Sequence, residues 1–409
     1  MVQISRRNMI RMMGAGVAAG AFGVPFYARA QSAPYKMGFV SALSGPAESL
    51  GRPMLFGAEL AVAEINAAGG INGRKVELLV RDTKAKPDAG TVAARELIGE
   101  GCNMLLGTVS SAVALAINGI LEQENALLIT AAAHSLRLTH EDFTRHYFRI
   151  TDNPYMRQRA QAKLMAELHP EVTAWGGLVP DHEYGRTTWE SYKHGLETFY
   201  PEIAKTEPSI SKPILCQYGG SDYRNYIASA MRDPAVGFFN SLYGGDAISM
   251  FQQAKPYGFF QKKAPIVDSA NEFLAARAMK AEMPEMWVGS HWYFGAFTDN
   301  EISERLYQKY NAATGTKFPD GFVSEGHAAV MAYAGALAKA PEGSTETLIP
   351  ALEGLTFETA TGKRTIRAED HQAIKPVIMY RVRGSKSGEG IEVVDHRVID
   401  GAETIEPPT

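Results

Sequence analysis

Cysteine is almost missing: the 409-residue chain has two, Cys102 and Cys216, so at most one disulfide can form. Excess positive charge is also missing, with 41 Lys and Arg against 45 Asp and Glu and a net charge of −4. That balance leaves no basic field for nucleic acid or an anionic membrane surface. No run after the first thirty residues is long and apolar enough to span a bilayer. The signatures of common catalysts are absent too: no Gly-x-Ser-x-Gly elbow, no Walker loop and no His-Glu-x-x-His. Gly14-x-Gly16 precedes no strand and is no nucleotide fingerprint. The ten histidines are scattered, and His182-Glu183 and Asp370-His371 are isolated pairs, which more often bond locally than hold a metal. The expectation is a chain that is not an enzyme and needs neither metal nor cofactor.

What is present is ordinary globular composition: 45% hydrophobic residues, 39 Gly and 21 Pro, in a length that suits about two domains. The N-terminus reads as an export signal over residues 1–30. Ser5-Arg6-Arg7-Asn8-Met9-Ile10-Arg11 precedes an apolar stretch of 15 residues, Met12 to Phe26, too short for a comfortable membrane span. Ala28-Arg29-Ala30 offers small residues for a signal peptidase, with Gln31 as the new first residue. The paired arginines resemble a twin-arginine signal; a general secretory signal is the alternative. Cleavage removes four arginines and no acid, taking the net charge from −4 to −8. No cysteine marks the cleavage point for lipid attachment, so the expectation is a soluble periplasmic protein.

From Pro34 onward, short apolar runs alternate with amphipathic stretches. Strands are predicted at 35–41, 76–80, 104–106 and 127–129, with helices at 53–68, 89–99 and 112–123 between them. The pattern repeats: helices at 155–168, 187–199, 223–231 and 246–257, strands at 173–179, 214–218, 236–242 and 265–268. This order predicts two doubly wound, parallel α/β units. Helices at 303–313 and 327–339 and a strand at 375–382 follow.

Doubly wound sheets bind ligands at the carboxyl ends of their strands. Two loops there carry informative residues: Leu43-Ser44-Gly45-Pro46, and Gly107-Thr108-Val109-Ser110-Ser111, which runs into a helix. A helix N-terminus with added hydroxyl donors suits a carboxylate. Ser110 or Ser111 is equally readable as a simple N-cap.

With these residues the chain resembles the branched-chain-amino-acid-type solute-binding proteins of ABC importers. The strongest match is Glu64-Ile65-Asn66-Ala67-Ala68-Gly69-Gly70-Ile71-Asn72-Gly73, preceded by Gly57-Ala58-Glu59-Leu60-Ala61-Val62. Supporting matches include Ile129-Thr130-Ala131-Ala132-Ala133, Phe148-Arg149, Tyr184-Gly185-Arg186, Tyr243-Gly244-Gly245-Asp246 and Asp370-His371-Gln372. The resemblance implies a type I periplasmic binding protein fold: two lobes joined by three crossovers, placed near Ile150, Val288 and Met379. Lobe 1 is then 31–150 plus 293–374, and lobe 2 is 151–288 plus 377–409. Cys102 and Cys216 fall in different lobes and are expected as buried free thiols.

The resemblance also implies a cleft site that closes by a hinge motion. Ser110 and Ser111 match serines that hold the ligand carboxylate. Ala132 matches a position that offers its carbonyl to an amino group. His134 and Leu50 replace a hydroxyl residue and a tyrosine of amino-acid binders, Tyr184 matches a residue that closes over the ligand, and Asp246 and Asp268 lie near counter-charge positions. The implied partners are a small carboxylate-bearing molecule and an inner-membrane permease, with the receptor itself a monomer as family members usually are. The changes at His134 and Leu50 point to an aromatic or branched aliphatic acid without an obligatory amino group, alongside amino acids. The competing readings are an exported hydrolase pairing Ser110 with His134, and a ligand sensor of the same fold outside transport.

Overall fold

The structure, a computed structural model, describes residues 33–408 apart from 270 and 389. The export signal and its cleavage point lie outside the described residues.

The first sheet comprises β1 (Tyr35–Ser41), β2 (Val76–Asp82), β3 (Met104–Gly107), β4 (Leu127–Thr130) and β5 (Tyr147–Arg149), all parallel, in the order β2-β1-β3-β4-β5. Successive strand residues point to opposite faces. Phe39, Leu106 and Ile129 enter one core, and Val40, Leu105 and Leu128 the other. Burial on both faces explains why these strands read as continuous apolar runs rather than alternating ones.

Helix α1 (Glu48–Ala67) covers one face, while α2 (Pro87–Gly99) and α3 (Ser111–Leu121) cover the other. Helix α1 begins five residues before the predicted start: Pro53 sits inside it, in the second turn, rather than at its first position. It crosses the helix Phe322–Lys339 with backbones almost touching. A Cβ on Gly57 would lie 1.9 Å from the Val323 carbonyl oxygen, and one on Gly326 1.8 Å from that of Met54. Only glycine fits either position.

The second sheet takes up β6 (Ala174–Pro180), β7 (Ser209–Ile210), β8 (Ile214–Cys216), β9 (Gly237–Asn240), β10 (Ile266–Asp268) and β11 (Met286–Ser290), which are mutually parallel. Helices α4 (Pro154–Leu168) and α5 (Glu183–Phe199) pack on one face. A small antiparallel sheet follows, of β12 (Thr356–Thr359), β13 (Gly362–Ile366) and β14 (Ala373–Ile374). Then β15 (Val377–Gly384) joins the second sheet antiparallel to β11, and β16 (Ile391–Ile399) pairs antiparallel with β15. The parallel sheet therefore carries an antiparallel edge, made of β15 and β16.

The chain passes between the two layers at 150–153, after Ser290 at the end of β11, and at 375–376. Val288 and Met379, expected near crossovers, lie within β11 and β15, a few residues from the changes of layer. Cys102 and Cys216 are buried free thiols. Burial pushes the Cys102 thiol up to about 11 and that of Cys216 higher still. No described helix is long and apolar enough to cross a membrane.

Candidate functional site

A cavity of about 220 Å³ opens between the carboxyl ends of the two sheets. Six of the eight residues read from the sequence as binding residues line it: Leu50, Ser110, Ser111, Ala132, His134 and Tyr184. Asp246 and Asp268 do not, because both carboxylates are engaged locally. Asp246 Oδ2 accepts from the Gly219 N–H at 2.7 Å, and Asp268 accepts from the Asn271 backbone and side-chain N–H groups at 2.8–3.1 Å.

The two serines differ in role. Ser110 is the N-cap of α3, and its Oγ accepts from the Val113 N–H at 3.5 Å. Ser111 starts the helix, and its Oγ accepts two backbone N–H bonds, from His134 and from Ser135, each 3.1 Å. A serine hydroxyl has two lone pairs and one proton. With both lone pairs taken, Ser111 can only donate. Its hydroxyl therefore presents a proton beside the first turn of α3, where N–H groups lack helical partners and the helix dipole is positive. The His134 backbone, not its ring, meets Ser111, so no serine–imidazole pair forms.

The opposite wall comes from the second sheet. His182, Tyr184, Tyr218 and Tyr243 line it, and their rings pack on one another: Tyr218 stacks on Tyr243 at 4.5 Å, and Tyr184 meets Tyr243 edge-on at 5.4 Å. Burial raises the Tyr184 phenol to about 12, so it stays protonated and bonds Ser269 Oγ at 3.3 Å. His291 and Phe322 complete the lining.

Sequence reading missed His182, Tyr218, Tyr243 and His291. For His182, Tyr218 and Tyr243 the signal was available, since each lies at or just after the carboxyl end of a predicted strand, the same rule that selected Ser110; His291 follows β11, which the sequence pattern does not reveal.

Glu183 is the one acidic residue lining the cavity among the described residues, and it is occupied. Its Oε1 accepts from Ser135 Oγ at 2.9 Å and Thr187 Oγ1 at 3.3 Å. The Ser135 bond spans the cavity between the β4 loop and α5, holding the two walls together.

Beneath the cavity the connecting segments converge on buried charge. Asp152 from the first is held by Arg157 through both oxygens, at 2.6 and 2.7 Å. Lys375 from the third lies 3.8 Å from Asp152, 3.1 Å from Glu325 and 3.0 Å from the His291 carbonyl oxygen of the second. Burial raises the Asp152 pKa, but Arg157 and Lys375 outweigh it and hold the carboxyl well below its usual range. Burial, reinforced by Arg157, holds the His134 and His291 imidazoles well below theirs, so both are neutral.

Comparison with known proteins agrees with this architecture. The family model described as "Periplasmic binding protein" matches residues 34–389. A leucine-, isoleucine-, valine-, threonine- and alanine-binding protein of Pseudomonas aeruginosa is 25% identical over 335 residues, covering 80% of this chain and 84% of the relative. A branched-chain amino acid ABC-type transporter structure from Rhodopseudomonas palustris superposes with a TM-score of 0.73 at 23% identity, covering 91% of this chain and 99% of the other. An ABC-transporter solute-binding protein from Rhodopseudomonas palustris, solved with 3,4-dihydroxybenzoic acid, gives a TM-score of 0.76 at 16% identity, with coverage of 91% and 99%.

Proposed function

The chain belongs to the periplasmic binding protein family, of the branched-chain-amino-acid ABC transporter type, and on that premise we propose that it is an exported receptor for a small aromatic or branched aliphatic carboxylate. Its relatives are binding proteins of transporters, not enzymes.

The observation that carries the ligand class is the contrast between the two ends of the cavity. At one end stand the donor-only Ser111 hydroxyl and the start of α3, which favour a carboxylate. At the other stand neutral aromatic rings, with Asp246 and Asp268 outside the lining and Glu183 bonded to two hydroxyls. An ammonium group buried there finds one carboxylate in the lining, that of Glu183, whose Oε1 already accepts two hydroxyl bonds, and meets apolar rings elsewhere, where burying a charge is costly. A flat or branched apolar acid buries its body against the rings and leaves no charge unpaired. Solved structures of this fold hold 3,4-dihydroxybenzoic acid, benzoate and isoleucine, so the fold accommodates both ligand classes.

Ligand enters between the layers, its carboxylate docks on Ser111, and the aromatic wall with Tyr184 closes over it. Closure is driven by the ligand's preference for the closed state. The closed receptor then delivers its cargo to a membrane permease. A thermal-shift screen of amino acids, aromatic acids, short aliphatic acids and neutral sugars tests the class. Aromatic or branched acids should raise the melting temperature, by an amount set by RT ln(1 + [L]/Kd). Hits confined to uncharged sugars would overturn the carboxylate reading.

A further inference from the structure

Arg149 is a buried cation with no acid in contact with it. It ends β5, against the loop that follows β4, and is fully buried. Arginine keeps its proton in proteins, and buried charges are normally paired. Among the described residues no carboxylate lies within ion-pair distance of Arg149, and its bonds go to neutral oxygens. Nε donates to Gln372 Oε1 at 2.6 Å and Nη2 to Thr139 Oγ1 at 2.6 Å. Nη1 donates to the carbonyl oxygens of Ser135, at 2.7 Å, and Ala133, at 3.4 Å. The buried acids of the region have other partners: Asp152 pairs with Arg157, and Glu325 with Arg364 and Lys375. Glu406, which feels the Arg149 charge, bonds Asn153 and His140 instead.

The bonds of Arg149 run on towards the cavity. The Ala133 carbonyl and the His134 N–H belong to one peptide group. That N–H donates to Ser111 Oγ at 3.1 Å, and Ser111, with both lone pairs taken, donates onward. Guanidinium, peptide and hydroxyl therefore form one head-to-tail chain. Aligned hydrogen bonds polarise one another, so a positive charge at the root strengthens the donor at the tip. The bond to the Ser135 carbonyl holds the residue whose N–H is the second donor to Ser111 Oγ. The field of Arg149 also reaches the lining, where it is one of the charges that keep the His134 ring neutral.

We propose that Arg149 is the counter-charge for the bound carboxylate and acts without touching it, as a positioning residue that holds the loop after β4 and polarises the Ala133–His134 peptide and the Ser111 hydroxyl. This rests on the carboxylate reading of the cavity. It gives a buried arginine without an acid its partner: the ligand supplies the negative charge, and charges interact more strongly in the protein interior than in water. It also makes the site discriminate by charge, preferring an acid over the amide of the same body.

The test is calorimetry on the exported chain with benzoate, 3-phenylpropionate, 4-methylpentanoate and their primary amides. The native chain should bind at least one acid at least about tenfold more tightly than its amide. Arg149→Met should cut that ratio at least about fivefold, and Arg149→Lys, which keeps the charge, should hold it within about threefold. A purely structural role would weaken acid and amide together and leave the ratio alone. Circular dichroism and melting report whether the variants fold. If they do not, the native chain decides: the acid should move the Arg149 Nε–H and His134 amide resonances further than its amide does, and equal shifts overturn the proposal. An acid preference that survives in Arg149→Met sinks the proposal alone, as does a preference lost equally in Arg149→Lys. A native chain that binds none of the acids better than its amide sinks the carboxylate reading and the proposal with it.

Discussion

Replacing Ser111 by alanine should cost stability and affinity together, and the two losses have separate origins. Ser111 Oγ satisfies the backbone N–H groups of His134 and Ser135. Removing it leaves two buried donors unpaired, at about 1–3 kcal/mol each, or roughly 2–6 kcal/mol in all. Over the folded unit Pro34–Thr409 the unfolding entropy, at about 2.1 cal/mol/K per residue, is about 0.8 kcal/mol/K, so the melting temperature should fall by about 3–8 °C. Ligand binding should lose a hydrogen bond to a charged group, about 1.5–3 kcal/mol, which weakens Kd by about 10- to 150-fold. Ser110→Ala is the control. Its cap bond is a 3.5 Å contact, so it should show a small loss of stability, near the lower end of the about 0.5–2 kcal/mol range for caps. Melting and calorimetry on the two variants give both numbers. Equal effects for both serines, or a Ser111→Ala protein that melts like the parent, would refute the reasoning.

Gly57→Ala and Gly326→Ala should each destabilise strongly, because a Cβ at either site meets a backbone oxygen at under 2 Å; a melting temperature within about a degree of the parent would show that α1 and the 322–339 helix are not so closely crossed. Burial pushes the Glu64 carboxyl up, but bonds from His327 and Arg305 outweigh it and hold it at about 2, below its unfolded value. A depressed carboxylate stabilises the fold above the unfolded pKa, and that contribution is lost as pH falls from about 4.5 towards 2. The melting difference between the parent and Glu64→Gln should therefore be constant near neutrality and shrink below about pH 4.5, and a difference that grows in acid would contradict the assignment. Arg6→Lys combined with Arg7→Lys should abolish periplasmic accumulation if the twin-arginine route is used; unchanged periplasmic yield would show general secretion instead.

The first sheet was legible because both of its faces are buried, so Tyr35–Ser41 and Leu127–Thr130 stand out as apolar runs with helical periodicity between them. The late part of the second sheet was not. Strand β16, Ile391–Ile399, is half-exposed throughout, and its interspersed Glu392, Asp395, His396 and Arg397 blur the strand signal. The small sheet from Thr356 to Ile374 has strands of two to five residues, too short to show a period. Within the site, the loop running into a predicted helix placed Ser110 and Ser111 at the helix start, while spacing alone left each equally readable as an N-cap. Asp246 is outside the cavity lining, and its carboxylate accepts from the N–H of Gly219, 27 residues away, a partner that no local pattern names. The same limit hid His291, which reaches the cavity only because β11 lies inside the second sheet and ends level with the β4 loop.

The most direct test of the ligand assignment is calorimetry with matched pairs: phenylalanine against 3-phenylpropionate, and leucine against 4-methylpentanoate. Each pair shares its carboxylate and its body and differs in the ammonium group, for which Glu183, already bonded to two hydroxyls, is the one acid in the lining among the described residues. The account predicts that the deaminated member binds at least tenfold more tightly in at least one pair. Binding of the amino acids, with no heat from their deaminated partners, would contradict it and make the protein an ordinary amino-acid receptor.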